Sequence, residues 1–317
     1  MNLAAHVASA VDDFIAGAGP SDAAQRLQRI GTVLGVPGVT ATIGVLVFLA
    51  VVYRGGAAGR RRLGRLATVT GGITVVGAAI EVAAIASIHG VSWIDALTGD
   101  AGAAAMMRFG GGALVVLGLV DTTLGRDGSA GEHDSGHDVG HNSGAWSPTA
   151  FFAVAGAVIA ALSFVFDGHT VSKGPRIVHA LVDVVHVGAG GVWFGGILAL
   201  VAVARADTWK AMLQRFSLLA TVSLAAVAGA GVLMALFVID GVGDLTGTPW
   251  GRLLLVKVGL VAITAAVGAY NHFVVVGTAR SGDPAGSGRG RVAVTVEATL
   301  LVAVVVVTGF LTTASPN

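Results

Sequence analysis

Apolar residues run in long blocks along this chain, and most polar residues gather in the short stretches between them. A helix needs about 20 residues to cross the hydrocarbon of a bilayer. Eight runs approach or exceed that length, near 36–53, 66–88, 104–121, 149–166, 178–203, 214–239, 251–276 and 292–313. The pattern predicts an all-α integral membrane protein, a bundle of about eight transmembrane helices. The third run, GDAGAAAMMRFGGGALVVLGLV, is the weakest because Arg108 lies near its start.

The stretches between the runs divide the chain into four parts. Residues 1–35 read as an extracytoplasmic amphipathic segment, with Leu3, Val7, Val11, Phe14 and Ile15 forming an apolar stripe at helical spacing. A secretory leader is not expected there, since a basic start is missing and Asp12 and Asp13 break the apolar core. Three spans follow over 36–124, then a His-rich polar loop over 125–148, then five spans over 149–317.

Basic residues give an orientation. One set of alternating loops holds Arg54, Arg60, Arg61, Arg62, Arg65, Arg126, Arg205, Lys210, Arg215, Arg280, Arg289 and Arg291. The other set, with the amino-terminal segment, holds only Arg26, Arg29, Lys173 and Arg176. Cytoplasmic loops are the basic ones, so both termini are expected outside the cytoplasmic membrane.

Composition agrees with a membrane chain. Of 317 residues only 12% are charged, where a soluble domain has about 25%, and mean hydropathy is +0.82. The 48 glycines suit closely packed membrane helices. There is no cysteine, which removes thiolate metal sites and leaves imidazole, carboxylate and thioether as ligands. A net charge of +1 gives no reason to expect nucleic acid. No P-loop, nucleophile elbow or zinc-protease motif is present, so neither an ATP-driven pump nor an enzyme is expected.

The exception to this apolar character is HALVDVVHVGAGGVWFGG, residues 179–196. His179, Asp183 and His186 fall within about 60° of one another on a helix, and Gly190 and Trp193 continue the stripe. Ionisable groups inside a membrane cost a few kcal/mol each, so they face a protein interior and usually have a task. His179 and His186 stand about 10 Å apart along a straight helix, too far to share one ion. The arrangement fits a ladder of sites, or one metal site with Asp183 orienting an imidazole. It also fits a structural seam of interhelical hydrogen bonds.

Other donors lie at similar depth. His169 ends the fourth span, His89 ends the second, and Glu81 lies about two turns further in. Met106, Met107 and Met234 offer thioethers, which with imidazole suit copper, although methionine also fills gaps in cores. Lys257 either snorkels outward or supports the seam. Glu297 and the pair Asn271–His272 share a depth near the inner surface, as an exit station or as helix–helix hydrogen bonds. In the loop, His133, His137 and His141 form a tract able to hold transition metal loosely, or a solvated linker.

From the fourth span onward the chain resembles the CopD copper-resistance family. The resemblance is carried by GHT at 168–170, HALVDVVHVGAGGVWFGGILAL, RFSLLATVSLAAVAGAGVL at 215–233, LTGTPWGRLLLVKVGL at 245–260, GAYNH at 268–272 and EATLLVAVVVVTGFLTTASP at 297–316. It implies copper handling, usually uptake across the inner membrane beside an extracytoplasmic CopC-like protein. It points to His169, His186 and Trp193, with Asp183 beside them. Some members carry a fused CopC-like sandwich; here that partner is expected to be separate. Trp250 stands where the family often has Tyr, which keeps an interfacial aromatic.

The leading expectation is therefore copper transport through a His/Asp/Met seam. The alternative is a haem b oxidoreductase with His186, His169 and His89 as axial candidates. A third is a copper sensor or assembly protein without flux.

Overall fold

The computed structural model describes residues 22–124, 148–166, 176–239, 241–275 and 284–312. The amino-terminal stripe, the tract His133–His137–His141 and His169 lie outside them. Within them lie eight helices long and apolar enough to cross a membrane: α1 Asp22–Val47, α2 Ala57–His89, α3 Ala103–Leu124, α4 Pro148–Leu162, α5 Arg176–Ala202, α6 Trp209–Val238, α7 Pro249–Tyr270 and α8 Pro284–Thr312. No strand occurs among the described residues. The expected all-α membrane bundle is what the chain forms.

The first span differs from its sequence reading. It begins at Asp22 instead of near residue 36, because Gln25, Arg26, Gln28 and Arg29 lower the local hydropathy without interrupting the helix. It continues through Pro37 and ends in a π-helical turn, Phe48–Val52. Local chemistry sets other ends. Gly90 closes α2 in the left-handed conformation, φ 63°, which suits a residue with no Cβ. At the start of α7, Thr248 accepts a hydrogen bond from the Gly251 amide and Pro249 supplies a preset first turn.

Two groups of helices make up the bundle. In the first, α2 packs between α1 and α3, and α3 packs on α4. In the second, α5 packs on α6 and α7 on α8, while α1 touches both α5 and α8 and so joins the groups. The α1–α5 contact is made by glycine: a Cβ on Gly44 would collide with the Gly191 carbonyl and with Gly195. Small residues let two backbones meet where lipid offers no hydrophobic drive between helices. The largest core cluster lies toward the arginine-rich end, where Phe48, Trp193, Phe194, Leu200, Trp209, Met212 and Phe216 interlock.

Arg108 does not weaken the third span. Its guanidinium forms a buried ion pair with Glu81 of α2 and donates through Nε to Ser163 Oγ at 3.1 Å. Glu81 also accepts from Thr32 of α1 at 3.1 Å, and the guanidinium lies over the Phe164 ring. Glu81, read from the sequence as part of the polar seam, instead bonds to α1 and α3. Opposite charges cancel here, and polar partners from α1 and the turn after α4 complete the group.

Breaking one side of such a pair strands a buried charge. Arg108→Met is expected to lower unfolding stability in detergent by about 3–5 kcal/mol. The double variant Arg108→Met/Glu81→Met is expected to regain most of that loss, as read by denaturant titration of the purified protein.

Candidate metal seam and the cleft beside it

Along α7 the packing is one-sided. It rests on α8 and makes no comparable approach to α5 or α6 among the described residues. With α6, it is the least buried of the eight helices. A cleft therefore lies between α5, α6, α7 and α8, and Trp193 and Ile197 of α5 border it.

Nearer the start of α5 than the cleft are the seam residues. His186 Nδ1 donates to the Val227 carbonyl of α6 at 3.1 Å, which assigns the ring proton to Nδ1 and leaves the Nε2 lone pair available. Gly231, one turn further along α6, makes room for the ring, since a Cβ there would stand 3.2 Å from Cε1. His179 stacks on Phe237 with ring centroids 4.3 Å apart, and its Nε2 is buried with no hydrogen-bond partner. Helical spacing places Met234 on the same α6 face, between Gly231 and Phe237, and it is half-buried there. From α7, the Lys257 charge interacts with both Asp183 and His186. Gly190 lies opposite Val227, where an added Cβ would meet Cγ2 at an ordinary 3.8 Å.

Trp193 closes this stretch and opens the next. It is 4% exposed, and its indole N–H donates to Glu297 Oε1 of α8 at 3.1 Å. Asn271 of the π turn after α7 donates to Glu297 Oε2, also at 3.1 Å. His272 Nδ1 pairs with Ser217 Oγ of α6 at 2.6 Å. These residues line a cavity of about 280 Å³ at the arginine-rich end. Sequence reading had Glu297, Asn271 and His272 at a common depth. It missed Ser217, for which an isolated serine in an apolar run gives no signal.

The remaining candidates are placed elsewhere. His89 is exposed at the end of α2. Met106, 44% exposed, and the half-buried Met107 lie on α3, which packs on α2 and α4 in the other half of the bundle. Among the described residues no three His, Asp or Glu side chains gather as a metal cluster. Any metal at the seam would be held by few protein ligands, and a thioether is the further donor within helical reach. A two-coordinate or three-coordinate soft ion fits that better than a tetrahedral one.

Comparison with known proteins finds, over part of the chain, similarity to the family that the sequence motifs suggest. Residues 210–311, covering α6 to α8, match the CopD family, copper resistance protein D. The copper transport protein CutJ of Bacillus subtilis (strain 168) is 30% identical over 122 residues, 36% of this chain and 22% of that one. The chain thus matches about a fifth of the length of this relative. No solved structure matches. The family match starts beyond α5, so the α5 seam itself lies outside it.

The Trp193–Glu297 bond ties α5 to α8 across the cleft. Trp193→Phe removes its donor and keeps most of the ring volume, so stability is expected to fall by about 1–3 kcal/mol in a detergent unfolding titration.

Proposed function

We propose that this chain, a CopD relative over its last three spans, carries copper across the cytoplasmic membrane, with uptake as the direction. The observation that supports this best is the state of His186. Its Nδ1–H is committed to a backbone carbonyl, which orients the ring and leaves Nε2 as the nitrogen that would ligate. Met234 is the companion donor, and imidazole with thioether favours Cu(I). His179, two turns nearer the outer surface, has a buried unpartnered Nε2 and forms the preceding step. Asp183 supplies negative charge, and Lys257 of α7 lies within electrostatic reach of it.

Around this core the outer donors His169, His89, Met106 and Met107 serve as receivers, aided by a separate CopC-like protein. The tract His133, His137 and His141 serves as a loose acceptor on the cytoplasmic side. Both termini face outward in this reading, which the concentration of arginine at one end of the bundle supports. The driving force is a gradient or cytosolic chelation, as the sequence carries no nucleotide-binding motif.

Expression in copper-depleted cells is expected to raise cell-associated copper. His186→Ala is expected to return it to the level of cells without the protein, and Met234→Ala to lower it in part. Unchanged copper content with well-expressed protein in the membrane overturns the reading. Copper movement into sealed vesicles separates transport from binding alone.

A further inference from the structure

The cavity at the arginine-rich end has a chemistry of its own. Glu297 is 4% exposed and has no ion pair among the described residues. Its two oxygens accept from Trp193 and Asn271, both neutral donors, which fix the carboxylate without cancelling its charge. A carboxylate offers about four acceptor positions, so open ones remain. Asn271, also 4% exposed, borders the same cavity, and its Oδ1 is buried with no partner. A buried oxygen left without a donor costs stability unless something fills the position. His272 and Ser217 add an imidazole and a hydroxyl to the lining.

The space is kept open by sequence. At Gly268 of α7 a Cβ would stand 3.2 Å from Glu297 Oε1, so alanine would crowd the carboxylate. Trp193 forms the floor towards the seam and lies about 10 Å beyond His186 along α5. Among the described residues no methionine lines the cavity. The donors are a carboxylate, an amide oxygen, a hydroxyl and one imidazole, a set suited to a harder ion than the seam above it.

We propose that this cavity is a second cation site, separate from the His186 seam, which takes a divalent first-row metal ion through Glu297 and Asn271 Oδ1 with His272 at its edge. It goes beyond the copper reading and stands whether or not the seam carries Cu(I).

The test is titration of the full-length protein in nanodiscs with Co²⁺, read by its d–d absorption and by equilibrium dialysis. The wild type is expected to bind Co²⁺ saturably and His186→Ala to bind it equally well. Glu297→Gln is expected to abolish binding, and Asn271→Leu to weaken it by about tenfold or more. Gly268→Ala leaves every donor in place, and it too is expected to weaken binding. That variant decides the matter if Glu297→Gln fails to fold. Absence of Co²⁺ binding by the wild type overturns the proposal. So does wild-type affinity in a folded Glu297→Gln protein, or in Gly268→Ala if Glu297→Gln cannot be purified. Loss of binding in His186→Ala with retention in Glu297→Gln places the ion at the seam and equally overturns it. Copper accumulation in cells is read separately, so failure of one proposal is not mistaken for failure of the other.

Discussion

Hydrocarbon supplies no hydrogen bonds, so each polar atom in a spanning helix must find its partner within the protein. That constraint organises this bundle. Glu81 and Arg108 answer it completely: the charges meet, and Ser163 and Thr32 take up further valences. The result joins three helices and a turn into one rigid group. In the other half the same constraint is answered incompletely. His179 Nε2 and Asn271 Oδ1 are buried without partners, and both lie on helices that border the cleft. Each of these two atoms keeps an acceptor position that no donor among the described residues fills.

The division between halves follows from packing. Glycines bring α1 to α5 at Gly44, Gly191 and Gly195, so the first helix acts as a spine shared by both groups. With α1 fixed against it, α5 turns its polar stripe away, toward α6 and the cleft. The carbonyl of Val227 and the missing side chain of Gly231 then set the orientation of His186. The position of the His186 ring thus depends on residues that have no metal chemistry themselves.

Much of this was legible in the sequence, and the reasons are specific. Eight helices were readable because apolar runs of bilayer length have few alternative explanations. The start of α1 was not, since hydropathy dips at Arg26 and Arg29 while the helix continues. The common face of His179, Asp183 and His186 follows from helical periodicity alone. Which helix that face meets does not, as periodicity carries no information about neighbours. The same gap hid the Glu81–Arg108 pair: two opposite charges in adjacent spans were visible, but they were assigned separately. Glu297 and Asn271, which share a depth in the sequence, bond to each other, whereas the tryptophan that also donates to Glu297 came from a different span.

The one-sided packing of α7 has a consequence for how the cleft is bounded. Three of its sides are protein, and among the described residues no helix closes the side between the outward faces of α6 and α7. In a bilayer acyl chains would cover that side, so exchanging lipid for detergent would change the surroundings of the exposed His272.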